Sequence, residues 1–318
     1  MLEALTERLK PYEGRLYLIH DLNVTSWADI LAKEIQINAR MGINACEDYK
    51  TTDTVTDICR FLLSTGADRD AVLIAMGGGI TTDIAGFAAS IYKRGIRFAL
   101  VPTTLLSMVD AAHGGKTGVN MDGLKNMIGT FAKPLFTHVD SRFLATLDRR
   151  ELLCGAAEML KAFIIEDNDH YEQAVSLFSS GNTDTRALGE LIDAAIAVKN
   201  GITSRDPLEN GERRKLNLGH TIGHAVEWYE HRHGIESPHN HGEAVAIGIV
   251  AAARISEERG VCAPGLADKI AADFSACGLP VSLPYPMEEL QEAIDKDKKN
   301  IGGQPRYVLI KSIGEVTI

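Results

Sequence analysis

One stretch constrains this chain more than any other: the apolar run Ala71-Val-Leu-Ile-Ala-Met76, which stops on Gly77-Gly78-Gly79. A six-residue apolar run is the length of a buried strand rather than of a helix. Three glycines behind it allow a tight turn and a close backbone approach by something else. The pattern from Asp83 to Lys93 is helical, and Arg97-Phe-Ala-Leu-Val101 is a second apolar run, closed by Pro102. Strand, glycine turn, helix, strand is a βαβ unit, so the two strands must be parallel. Arg15 to His20 reads as a further strand and Asp53 to Thr65 as an amphipathic helix.

Past residue 150 the pattern changes. Helical spacing dominates over Arg150–Glu166, Thr185–Thr203, Gly219–His231, Gly242–Arg259 and Gly265–Ala276, with one late β-branched run at Tyr307–Ile310. The expectation is an α/β domain with a parallel sheet over residues 1–149 and a mainly helical domain over 150–318. The length of 318 residues is ample for both.

The formal net charge of −10 speaks against nonspecific binding to nucleic acid or an anionic membrane. The longest apolar run, Ala244–Ala253, is about half a membrane span. Five dispersed cysteines without a CxxC pair fit a reducing compartment. The opening Met-Leu-Glu-Ala-Leu-Thr-Glu has early charge and no apolar core, so no secretory signal is expected and a cytoplasmic location is.

The glycine turn is suited to a pyrophosphate met by N–H groups at the following helix N-terminus. It is not the GxGxxG fingerprint, and a plain strand-to-helix turn is the competing reading. Asp83 could cap the helix or touch the cofactor. Val101 to Asn120 combines Thr103, Thr104, Asp110 and Gly114-Gly-Lys116. The spacing is not that of a phosphate-hydrolysing P-loop. Polar residues at the end of a buried strand are where α/β sheets bind ligands.

The second half carries metal-ligand chemistry. His220 and His224 are four apart, so one helical face carries both. Glu158 stands on a helix with Lys161 one turn later, and His241 precedes Gly242-Glu243 at a helix start. Two histidines and a carboxylate leave an open coordination position, as a catalytic zinc site requires. Spacing alone does not say which three of the four ligate. Lys161, Lys199, Arg213 and Lys298 add positive charge suited to an anionic, phosphorylated substrate.

Taken together, these segments resemble the 3-dehydroquinate synthase family. The similarity runs from about Glu47 to Ile313, through Glu47-Asp-Tyr-Lys50, Gly77-Gly-Gly-Ile-Thr-Thr-Asp83, Gly114-Gly-Lys-Thr-Gly-Val-Asn120, Gly123-Leu-Lys-Asn-Met-Ile-Gly129, Leu216-Asn-Leu-Gly-His-Thr-Ile-Gly-His224, His241-Gly-Glu243 and Asp297-Lys-Lys299. It implies a Rossmann-like NAD domain followed by a helical metal domain, commonly as a homodimer. It also implies NAD and a divalent metal, zinc or cobalt, as cofactors.

The implied metal ligands are Glu158, His220 and His241. The implied NAD contacts are Asp21, Asn23, Glu47, Lys50, Gly78, Gly79, Asp83, Thr103, Thr104, Lys125, Phe143 and Thr146. The implied substrate contacts are Arg94 (reaching in from the partner subunit), Asp110, Lys116, Asn126 and Lys298. Lys161, Lys199, Arg213, Asn217 and His224 also hold substrate, and Glu209 and His224 match proton acceptors. The implied reaction takes 3-deoxy-D-arabino-heptulosonate 7-phosphate to 3-dehydroquinate and phosphate by transient oxidation, elimination, reduction and aldol closure. The alternatives are a related cyclase acting on another sugar phosphate, a metal-dependent polyol dehydrogenase, and a non-catalytic NAD-binding protein. Lys199, Arg213, Asn217 and His224 all keep the synthase identities, which argues against the other cyclases. The chain departs from the family pattern in a shorter N-terminal part, and at His113, Asp148 and Cys154. The short N-terminal part and Cys154 are expected to bear on the NAD pocket.

Overall fold

The computed structural model describes residues 2–122, 124–181, 185–295 and 307–318. The chain divides into two compact units, Met1–Leu144 and Ala145–Ile318.

The first unit contains α1 (Glu3–Leu9), β1 (Leu16–Asp21), α2 (Thr25–Glu34), β2 (Ala39–Ile43), α3 (Thr52–Ser64), β3 (Val72–Gly77), α4 (Gly79–Ile91), β4 (Arg97–Pro102) and the hairpin of β5 (Lys116–Met121) and β6 (Leu124–Phe131). The first four strands form one sheet in the order β2-β1-β3-β4, and every pairing is parallel. Each residue of β1 and of β3 is buried. A parallel sheet covered on both faces reads as a continuous apolar run, which is how these strands read in the sequence. Ile19, Leu73, Ala75, Phe98 and Leu100 pack with Ile58 and Leu62 of α3 and with Ile84, Ala85 and Ala88 of α4 in one core. Residues 135–138 run along β4, where the Leu135 and His138 N–H groups donate to Phe98 and Leu100 carbonyls.

This fold sends Asp21, Gly77-Gly78 and Thr103 out of the carboxyl ends of neighbouring strands, the usual ligand edge of such a sheet. Beyond β4 the chain makes a π-helical turn (Ser107–Ala111) and then the β5–β6 hairpin. From sequence this region reads as a polar ligand-binding stretch. The hairpin escapes period-two reading because Gly118 and Gly129 face each other where the strands meet, and Leu124 to Met127 are all exposed.

The second unit contains α5 (Arg149–Glu166), α6 (Asn168–Ser179), α7 (Thr185–Arg205), α8 (His220–His233), α9 (His241–Glu258), α10 (Leu266–Cys277), α11 (Met287–Asp295) and the short hairpin β7 (Leu309–Ser312) and β8 (Glu315–Thr317). α9 is apolar nearly all round and lies at the centre, packed against α5, α8 and α10. Two glycines permit that approach. A Cβ on Gly242 would stand 2.2 Å from the Cys154 carbonyl oxygen of α5, and one on Gly248 would stand 1.9 Å from the Gly219 oxygen at the start of α8. Gly219 itself has φ +78, which suits glycine.

Candidate active site

The close approach of α5, α8 and α9 brings three side chains together. His220 is the first residue of α8 and His241 the first of α9, while Glu158 lies mid-way along α5. Glu158 is 1% exposed. His241 Nε2 is 3.4 Å and His220 Nε2 3.6 Å from the same carboxylate oxygen, Oε1. One ligand atom from each residue falls within 4.8 Å of the others. Neither Glu158 oxygen accepts a hydrogen bond, although Lys161, one turn later, pairs with Oε2. Lys161 thus compensates one side of the buried carboxylate, and Oε1 is left facing the two imidazoles, where a cation would meet all three. Two imidazole nitrogens and one carboxylate oxygen form a donor set that fits zinc or cobalt.

The ring orientations follow from the other nitrogens. His220 Nδ1 lies 3.1 Å from the Leu218 carbonyl, which can only accept. Nδ1 therefore carries the hydrogen, and the Nε2 lone pair faces Glu158. His241 Nδ1 lies 3.4 Å from each oxygen of Glu227. Burial lowers the His241 pKa, but Glu227 and then Glu158 outweigh it, and the imidazole is pushed up to about 9. His224 sits one turn after His220, with ring centroids 5.1 Å apart, and 6.2 Å from the His241 ring. It forms a second grouping with Glu227 and His241.

Cations are buried in the same unit. Lys161 on α5, Lys199 on α7 and Arg213 on the 3-10 turn Glu212–Asn217 are 2%, 8% and 3% exposed. α7 packs against both α5 and that turn. Arg213 donates to the Pro207 carbonyl and its backbone N–H to Asp206. Asn217 donates to Glu209 at 2.8 Å, and Glu209 has φ +61, a left-handed conformation uncommon for a side-chain-bearing residue. Three buried cations in a net acidic protein suit an anionic ligand.

In the first unit the structure joins four of the expected residues into one network. Lys50 Nζ donates to Asp83 Oδ2 at 2.7 Å and to Asn126 Oδ1 at 2.6 Å. Asn120 donates to Glu47 at 2.7 Å and accepts the Asn126 N–H at 2.9 Å. Asn120 was not singled out by sequence. Asn126, expected on substrate, bonds a residue expected on NAD. Asp21 accepts the Asn23 N–H at 2.9 Å, and burial raises its carboxyl. Gly78 and Gly79 line the β3–α4 turn, where added Cβ atoms would come within 3.1 Å of Thr104 and of Ala111. Thr103 donates its N–H to Gly77, and Thr104 bonds Ser107. Lys125 is exposed on β6, Lys116 opens β5, and Asp110 lies on the π-turn. Phe143 is buried edge-on to Trp27. Thr146 is exposed on the other side of the division between the units. Arg94 is exposed at φ +69, on a turn whose neighbours Lys93 and Gly95 also have positive φ. Lys298 lies outside the described residues.

The model of the 3-dehydroquinate synthase N-terminal domain matches residues 40–154, and that of the C-terminal domain matches 155–300. The chain belongs to the 3-dehydroquinate synthase family. It is 38% identical to a 3-dehydroquinate synthase of Pyrococcus abyssi over 321 residues, covering 100% of this chain and 92% of the relative. Among solved structures it is similar to a 2-epi-5-epi-valiolone synthase of Streptomyces hygroscopicus with NAD+ and Zn2+ bound, at 28% identity and a TM-score of 0.87, covering 96% of this chain and 86% of that one. It is also similar to a 2-deoxy-scyllo-inosose synthase complexed with carbaglucose-6-phosphate, NAD+ and Co2+, at 27% identity and a TM-score of 0.85, covering 99% and 89%.

The departures from the family pattern now have physical settings. Asp148 caps α5 by accepting the Arg150 N–H. Cys154 is buried where α5 meets α9, and its sulfur accepts the Gly242 N–H at 3.2 Å. Burial pushes its thiol up to about 12, so it stays protonated at neutral pH. His113 is half-buried and donates its N–H to the Asp110 carbonyl.

Proposed function

We propose that this chain converts 3-deoxy-D-arabino-heptulosonate 7-phosphate to 3-dehydroquinate and inorganic phosphate, as a carbon–oxygen lyase of aromatic amino acid biosynthesis, acting as a cytoplasmic homodimer. The observation that carries the reading is Glu158: a buried carboxylate met at Oε2 by Lys161 and faced at Oε1 by two imidazole nitrogens. Glu158, His220 and His241 would hold a divalent metal. Gly78, Gly79, Asp83, Lys50 and Glu47 would hold NAD. When bound, the metal polarises the substrate hydroxyl and NAD takes and returns a hydride.

The chain's own residues do the rest. Lys161, Lys199 and Arg213 meet the negative charge of phosphate and carboxylate, and being buried they do so with little screening. Lys161 also pairs with Glu158 and offsets its negative charge. Asn217 orients Glu209, and Glu209 and His224 accept protons in turn. The Lys50–Asp83 pair fixes the floor of the cofactor site beside the glycine turn.

The similar solved structures are synthases of other products, one of them complexed with carbaglucose-6-phosphate, so substrate identity is the finer point. The higher identity to 3-dehydroquinate synthases favours the heptulosonate reading. The test is phosphate release from heptulosonate 7-phosphate with saturating NAD. Release should stop with a chelator, return with Zn2+ or Co2+, and be absent in Glu158→Ala. Oxidation of a simple polyol with no phosphate release would contradict the proposal.

A further inference from the structure

We propose that Glu227 is the positioning carboxylate of the metal centre: it holds His241 by Nδ1, so that Nε2 is presented toward Glu158. The inference rests on the metal reading above. Both Glu227 oxygens lie 3.4 Å from Nδ1, while Nε2 lies 3.4 Å from Glu158 Oε1. An ionised carboxylate only accepts, so Nδ1 keeps its hydrogen and the Nε2 lone pair is the one left for a cation. His220 meets the same requirement with the Leu218 carbonyl. A carboxylate or carbonyl on the far nitrogen fixes the tautomer and plane of a ligating imidazole and raises its basicity.

The surrounding chain supports the assignment. Glu227 follows His220 by seven residues, two turns along the same face of α8. One turn further, buried Glu230 accepts the His239 backbone N–H at 2.8 Å and holds its ring at 2.6 Å. Asn240 and Glu243 close a capping box at the start of α9. The backbone on either side of His241 is thus anchored by other groups, and Glu227 is the group that sets the ring. The competing role is that Glu227 is itself a ligand, in the grouping with His224 and His241. The two roles differ in what they ask of His224: a ligand must be needed for affinity, whereas beside a positioning Glu227 it is not.

The full-length chain, stripped with chelator, is titrated with Zn2+ and with Co2+ by calorimetry, and the visible absorption of the Co2+ form is recorded. Glu158→Ala should abolish binding. Glu227→Ala should weaken it about 10–100-fold. Glu227→Gln should weaken it less and keep the Co2+ band positions, because an amide oxygen still accepts from Nδ1. His224→Ala should change affinity by less than about threefold, the ligand set being intact. Unchanged affinity in Glu227→Ala overturns the proposal. Loss of binding in both Glu227→Ala and His224→Ala also overturns it, in favour of the second grouping. If Glu227→Ala does not fold, Glu227→Leu decides, since it keeps the bulk but has no acceptor for Nδ1: weakened binding supports the proposal and unchanged binding overturns it. Intact binding in Glu158→Ala removes the metal reading itself. Its loss there, with Glu227 variants unaffected, removes only the positioning role.

Discussion

At the scale of single residues, the site is a set of charges kept out of water by their partners. Lys50 is 6% exposed and its ammonium relies on Asp83 and Asn126. Asp83→Asn replaces a charged acceptor by a neutral one. It should lower stability by about 1–3 kcal/mol in urea unfolding and weaken NAD binding in a titration. Cys154 gives a pH prediction. Its ordinary thiol value of 9.0 rises to about 12 in the fold. Folding therefore disfavours the thiolate: that stability is fully present below pH 9 and is lost as pH rises toward 12. The unfolding midpoint of the wild-type chain should fall more steeply above pH 9 than that of Cys154→Ala, and an equal slope would contradict the burial argument. Glu243 has the opposite sign. Burial raises its carboxyl, but the two-pronged Arg150 contact outweighs that and holds it below the ordinary range. Its contribution is present above the unfolded value and is lost as pH falls.

At this scale the sequence was informative wherever a residue type has few uses. His220, His224, His241 and Glu158 stood out because imidazoles and a carboxylate among glycines have little structural reason to be there. Glu227 and Asn120 did not stand out. A glutamate on an amphipathic helix looks solvated, and an asparagine in a loop looks like a turn residue. Only the fold shows that Glu227 reaches the His241 ring and that Asn120 joins Glu47 to Asn126.

At the scale of elements, glycine decides how closely the helices approach. Gly242 and Gly248 let α9 touch the backbones of α5 and of the α8 start. Those contacts set the spacing of the three metal-site side chains. Gly248→Ala forces Cβ against a carbonyl that cannot rotate away, so it should cost about 1–3 kcal/mol or more. Metal affinity should drop with it, measured by calorimetry on the folded variant. If the affinity is unchanged, the helix spacing does not control the site.

The long helices after residue 150 were legible to within about two residues because each carries an apolar stripe and a clear stop. α6 was not, since a single residue, Asp167, separates it from α5 and caps it. β2 was also hidden, being a half-buried edge strand with a glycine inside it. α1 is a short helix whose apolar residues Leu5 and Leu9 are the only periodic signal it offers.

At the scale of the whole molecule, the chain divides into a parallel α/β unit and a helical unit, each with its own candidate ligand group. The fold class was readable because short apolar runs that end on a glycine turn or a proline read as buried strands, and stripes of helical period read as packed helices. The division at Leu144–Ala145 falls a few residues before the expected 149–150, inside a 3-10 turn that has no composition signal. A ligand that binds only folded protein stabilises it by about 2.7 kcal/mol at a hundred times its Kd. Zn2+ should therefore raise the unfolding midpoint of the wild-type chain and leave that of His241→Ala unchanged, while NAD should stabilise both.

The most direct test of the assigned reaction is a three-substrate comparison in which released phosphate and absorbance at the NADH band are followed together. With heptulosonate 7-phosphate, one phosphate should appear for each 3-dehydroquinate formed, with no net NADH. Sedoheptulose 7-phosphate and glucose 6-phosphate should release none. Comparable phosphate release from either of those sugars, or a steady rise in NADH with heptulosonate 7-phosphate, would contradict the account.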